Sequence, residues 1–136
     1  MLEALIDAWH DAVNNRDLAG ARATVTDPVE VSGPRGTHTI SAQAFAEWII
    51  TSGIRLRPLS THPVDAATVV IEQEATWPDN PDPEAAATPP TAVATLFRTR
   101  DGALDMIRRF GSLRDALVAA HEENRHSGHS FPPRPT

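Results

Sequence analysis

The stretch that most constrains the fold is ATVVIEQEATW, Ala67 to Trp77. It is rich in β-branched residues and runs long enough at a two-residue period to read as a full strand. Val70, Glu72, Glu74 and Thr76 share one side, and Val69, Ile71, Gln73, Ala75 and Trp77 share the other. If the glutamates point inward, the interior holds two carboxylates whose burial raises their proton affinity unless a cation pairs with them. If Ile71, Ala75 and Trp77 point inward, both glutamates lie on a solvated or subunit-facing surface. Periodicity alone leaves both orientations open.

The rest of the chain is arranged around this strand. PDNPDPEAAATPP (78–90) is a proline-rich acidic loop that cannot supply ladder donors and projects from the end of a hairpin. The return strand, Thr91 to Arg100, alternates Val93, Thr95, Phe97 and Thr99 with Ala92, Ala94, Leu96 and Arg98. A tight Arg-Asp-Gly turn then leads to a last strand, Ala103 to Phe110. Upstream, residues 54–64 alternate Ile54 and Leu56 with Arg55 and Arg57, interrupted by Pro58 and Pro63.

Helical spacing predicts a first helix over Leu2–Asn14, with Leu5, Ile6, Trp9 and Val13 buried and His10 on the wet side. Asp17 caps a short helix to about Val25, ended by Asp27 and Pro28. VEVSGPRGTHTI forms a short edge hairpin. Ser41 caps a third helix over Ala42–Ser52, with Phe45, Trp48 and Ile49 inward and Gly53 as its stop. A last helix spans about Leu113 to Glu123. The glycine, serine and proline content after it predicts one domain over residues 1–124 and a disordered tail over 125–136.

Composition excludes several functions. With no cysteine there are no disulfides, thiolate metal sites or thiol nucleophiles. All 12 basic residues are arginine and tyrosine is absent, which removes Schiff-base and phenol catalysis. A net charge of -6 with scattered arginines argues against nucleic-acid and anionic-membrane partners. The polar, acidic N-terminus reads as neither leader nor membrane span, so a cytoplasmic location is expected. His38 and His62 read as surface residues. Of His121, His126 and His129, only the first is on a predicted helix, so no metal site is expected; no glycine-rich phosphate loop or other cofactor signature is present either.

The order helix, helix, short hairpin, helix, long antiparallel meander, together with NNRDLAGARATVTDP, GPRG and LFRTRDGALDMIRRF, resembles the nuclear transport factor 2-like superfamily over about residues 1–120. This superfamily includes ketosteroid-isomerase-like and polyketide-cyclase-like proteins. The resemblance implies an α+β fold in which a strongly bent antiparallel sheet forms a cone around three N-terminal helices, with a C-terminal helix. It also implies a homodimer and a pocket for a small apolar or mixed-polarity ligand. The isomerase groups do not carry over: Trp9 stands where a tyrosine donates to the oxyanion, Thr95 where a protonated aspartate does, and Val31, Ser32 or Gly33 where the catalytic aspartate falls. Epoxide hydrolases of this fold use an arginine and an aspartate two apart on one strand, whereas here that spacing holds Glu72 and Glu74, or Arg98 and Arg100.

The resemblance further implies that Met106, Arg108 and Phe110 face inward, which makes Arg108 a partner for Glu72 or Glu74. Two functions follow as expectations. The first is a ligand-binding domain lined by Trp9, Trp48, Thr95, Phe97 and Phe110. The second is an isomerase, cyclase or hydratase with Glu72 or Glu74 as general base and Arg108 steadying negative charge.

Overall fold

The structure, a computed structural model, describes the backbone of residues 2–33 and 36–128 and the side chains of residues 2–33 and 36–122. The elements run α1 (Leu2–Asn14), α2 (Leu18–Ala23), β1 (Val25–Gly33), β2 (Gly36–Ile40), α3 (Ala42–Thr51), β3 (Arg55–Pro63), β4 (Thr68–Thr76), α4 (Pro83–Ala86), β5 (Thr91–Arg100), β6 (Ala103–Phe110) and α5 (Leu113–Gly128). The strands form one curved sheet in the order β2-β1-β6-β5-β4-β3.

The local signals act largely as the sequence predicts. Asp17 and Ser41 cap α2 and α3 by accepting from the backbone N–H of Gly20 and Ala44 at 3.0 Å each. Two elements differ. β1 begins at Val25, where a last helical turn is expected, because the Leu104 N–H donates to the Thr24 carbonyl (2.9 Å) and draws the β-branched Val25–Thr26 pair into the sheet. β1 then pairs with β6 in parallel, so the expected antiparallel sheet is a mixed one. At the other end, α5 continues to Gly128, through the first residues expected to be tail; residues 129–136 of the expected tail lie outside the described residues.

Gly53 ends α3 with φ +71°, a conformation that L side chains rarely adopt. A Cβ here would collide with the backbone of Asp79 and Asn80. The 77–80 turn is held against α3 by Asn80 Nδ2 donating to the Ser52 carbonyl (2.7 Å), and Asp79 accepts from Arg55 (2.8 Å). The absent side chain of Gly53 thus lets the loop after β4 close over the end of α3.

Two apolar clusters occupy opposite faces of the sheet. On the concave face, α1, α2 and α3 lay Ile6, Trp9, Val13, Ala21, Phe45 and Ile49 against Val29, Val69, Ile71, Ala75, Val93, Phe97, Leu104 and Ile107. On the outer face, Ala116 and Ala120 of α5 cover Val70, Ala94, Leu96 and Met106. Leu104 and Met106 are two apart yet belong to opposite clusters. A bulge explains this: Thr99 pairs with Leu104 and Arg98 with Met106, so Asp105 is the unmatched residue and the pleat reverses phase there.

Candidate functional site

The orientation of β4 is decided by what packs on it. Val69, Ile71 and Ala75 lie in the concave cluster with Trp77 against it, so the glutamates face outward. Glu74 Oε1 accepts from Arg57 (3.1 Å), across the register pair joining β3 and β4. Glu72 Oε1 accepts from the Ser60 hydroxyl (3.1 Å), which in turn lies 2.8 Å from His62 Nε2. Because the serine proton goes to the carboxylate, the imidazole must donate to the serine oxygen. Serine thus stands between the imidazole and the carboxylate.

The bulge at Asp105 also moves Arg108. The resemblance implies Met106, Arg108 and Phe110 inward, but with the phase reversed they share the outer face, where Met106 and Phe110 pack in the cluster under α5. The Arg108 guanidinium carbon lies 5.8 Å from the Phe110 ring centroid. Ile107 and Arg109 are therefore the concave residues of β6, and Arg109 is the register partner of Thr95.

Three of the expected ligand contacts do converge on the concave side. The Trp9 ring meets Phe97 edge-on, with centroids 4.9 Å apart and planes at 71°. Thr95 is 2% exposed and Trp9 likewise 2%. Trp48 and Phe110 do not join them, since Trp48 is 52% exposed on α3 and Phe110 belongs to the outer cluster.

What joins Trp9, Phe97 and Thr95 is a buried polar chain built on two further residues. His10 is 4% exposed and Gln73 is wholly buried. His10 Nδ1 lies 2.9 Å from the Ile6 carbonyl, which can only accept, so Nδ1 carries the proton. Nε2 then accepts from the Gln73 amide (2.8 Å), and Gln73 Oε1 accepts from the Thr95 hydroxyl (2.7 Å). Burial pushes the His10 pKa below its ordinary value, opposed by the Ile6 bond and by Asp7 and Asp11. The neutral ring fits this chain of donors and acceptors.

His10 is thus not on the wet side of α1. The signal was present: Ile6, Trp9, His10 and Val13 stand at i, i+3, i+4 and i+7, the positions of one helix face. Gln73 was legible only as the single polar residue among Val69, Ile71 and Ala75.

Beside this chain, the N-terminal half of α1 and the β3–β4 end of the sheet leave a depression of about 330 Å³. Leu2, Ile6 and Asp7 line it from α1, Thr61 and Pro63 from β3, and Val69 and Ile71 from β4. Thr61, Ile71, Thr95 and Arg109 are successive register partners, one row across β3, β4, β5 and β6. The depression therefore opens at one end of a row that ends on Arg109. Among the described residues, no group of three or more His, Asp or Glu side chains is placed to hold a metal ion, and no helix is long and apolar enough to cross a membrane.

No protein-family model and no curated protein matches the chain. Solved structures do match its fold. A nuclear transport factor 2-like protein of unknown function from Cytophaga hutchinsonii superposes with a TM-score of 0.69 at 10% identity, over 86% of this chain and 95% of its own. A polyketide-cyclase-like protein from Xanthomonas campestris gives 0.65 at 19% identity, over 87% of this chain and 95% of its own. An epoxide hydrolase/cyclase-like enzyme of pyran ring formation in the polyether salinomycin gives 0.62 at 18% identity, over 83% and 92%. Mixed curved sheet, concave helices and these superpositions agree: the chain has the nuclear transport factor 2-like fold.

Proposed function

We propose that this protein is a small-molecule-binding domain whose ligand, small and apolar or of mixed polarity, occupies the concave side where α1 and the β3–β4 end of the sheet stand apart. The observation that carries this reading is the depression of about 330 Å³, apolar on its inner wall through Ile6, Val69 and Ile71 and polar on its rim through Glu3, Asp7 and Thr61. This is the small end of the range for ligand pockets, which are mostly apolar with few polar anchors. Structures of the same fold described as cyclase-like and epoxide hydrolase/cyclase-like support ligand handling on this scaffold without specifying a chemistry.

The alternative, an isomerase, cyclase or hydratase using Glu72 or Glu74 as base with Arg108, has less support. All three side chains are on the outer face, and both carboxylates already accept hydrogen bonds from β3. Among the buried groups of the concave side the candidate proton acceptor is His10, and both its ring nitrogens are engaged. A homodimer formed through edge strand β3, where Leu59 is 45% exposed, belongs to the same proposal.

A thermal-shift screen with terpenes, small steroids and polyketide fragments tests the reading. At least one compound should raise the melting temperature, and Thr61→Trp, which fills the mouth from an exposed position, should abolish the rise. A screen in which nothing stabilises the protein, or in which Thr61→Trp responds as the parent does, overturns it.

A further inference from the structure

The lining of the depression carries charge of one sign. Leu2 and Ile6, one helical turn apart on α1, form its apolar wall together with Val69 and Ile71 of the sheet. Glu3 and Asp7 each stand one residue further on, so they run as a second stripe beside that wall, exposed at the rim. The opposite rim is Thr61, Pro63 and Ala66, which carry no charge. Among the described residues, then, the depression is lined by two carboxylates and no cation.

The helix accounts for these two carboxylates unequally. Glu3 lies in the first turn of α1, where a negative side chain meets the positive end of the helix dipole. Asp7 lies a turn further, beyond the reach of that effect, and four residues from Glu3 it sits beside a like charge. The ion pairs among the described residues join Arg16, Arg55, Arg57 and Arg98 to Asp79, Glu74 and Asp105, so neither rim carboxylate has an arginine against it. The Asp7 charge is also felt inside the protein: burial lowers the His10 pKa, and Asp7 is among the groups that oppose it. An anion at the edge of apolar surface is screened less on that side than toward open water, so its field acts into the depression.

We propose that the ligand of the depression is a cationic amphiphile, a protonated amine whose apolar body rests on Ile6, Val69 and Ile71 and whose ammonium lies at the rim between Glu3 and Asp7. This deepens the ligand-binding reading above and rests on it. The site is the apolar depression, and the carboxylates decide the charge of what fills it. Side chains four apart on a helix stand about 5–6 Å apart at Cβ, so one ammonium reaches both. A carboxylic acid or a phosphate ester entering the same space would meet two like charges, on a protein whose net charge is already -6. A bare metal ion fits less well than an amine, since the wall is hydrocarbon and a hard cation takes about six oxygens.

The test uses one carbon skeleton in three charge states: 1-adamantanamine, 1-adamantanol and adamantane-1-carboxylic acid. A second set is 2-naphthylmethylamine, 2-naphthylmethanol and 2-naphthoic acid. Both are measured by thermal shift and calorimetric titration on the full chain at about pH 7, where the amines are charged. In at least one set the amine should bind the parent protein about threefold to thirtyfold more tightly than the alcohol, the size of two rim charge pairs, and the acid should bind most weakly. Asp7→Asn combined with Glu3→Gln should bring amine and alcohol level while the alcohol binds as before; both positions are exposed, so the fold is kept. Asp115→Asn removes one carboxylate from α5, on the other face of the sheet, and should leave the preference intact. If amine and alcohol bind the parent equally, the cationic ligand falls and the binding domain stands. If the double variant keeps the preference, or Asp115→Asn weakens it as much, the ammonium is not held at this rim and the proposal is wrong. If no compound of any charge binds, both readings fail.

Discussion

Gln73 is the residue on which the polar chain of the concave side depends, and replacing it by methionine isolates that role. Methionine has nearly the same volume and fills irregular space, so packing changes little. The substitution removes both hydrogen bonds at once, leaving His10 Nε2 without its donor and the Thr95 hydroxyl without its acceptor. Each buried orphan costs about 1–3 kcal/mol, so Gln73→Met should destabilise by about 2–6 kcal/mol, near the lower end if Thr95 turns to a strand carbonyl. Thr95→Val in the same background removes one orphan and should restore about 1–3 kcal/mol. Urea denaturation followed by tryptophan fluorescence reads both, since Trp9 packs beside His10 with centroids 5.1 Å apart. If Gln73→Met costs less than about 0.5 kcal/mol, below the range for even one orphan, the chain is not the organising contact described here. The same conclusion follows if the double variant is simply the sum of the singles.

Two further outcomes follow from the geometry. His10 is held neutral by burial, so its folded pKa lies below the unfolded value of 6.5 and the unfolded state binds more protons between the two. Stability is therefore complete above about pH 6.5 and falls as pH drops toward the folded pKa, by at most about 1.4 kcal/mol per pH unit. His10→Asn, compared by urea midpoints from pH 7.5 down to 5, should lack that slope, and parallel curves would refute the assignment. Gly53→Ala forces a Cβ into the backbone of Asp79 and Asn80 at φ +71° and should cost well over about 1 kcal/mol in chemical denaturation; a change within about 0.5 kcal/mol would show that the loop yields freely.

Much of the fold was legible because most of its signals are local. The caps at Asp17 and Ser41, the stop at Gly53 and the alternation of β4 and β5 each specify structure within a few residues. The parallel pairing of β1 with β6 was not, since it joins segments about seventy residues apart and leaves no periodic mark on either. The face of β4 was readable only as a choice. Ile71 and Ala75 inward is the apolar solution, and it is the one adopted, with Gln73 drawn in between them by partners on α1 and β5.

The face of β6 was misread for a different reason, which fits in one residue. Strict alternation from Leu104 carries Met106, Arg108 and Phe110 to one face, and a bulge at Asp105 cancels it, so the cation on the concave side is Arg109. A bulge adds one residue to one strand, and a period of two cannot announce it. Its consequence is chemical as well as geometric. The ion pairs of Glu74 with Arg57 and of Asp105 with Arg98, and the Glu72–Ser60 bond, gather along strand edges and the outer face, while the concave side keeps a neutral, fully matched chain of His10, Gln73 and Thr95. General-base chemistry needs an acceptor with a free lone pair facing the ligand, and the only basic nitrogen described on this side already accepts from Gln73.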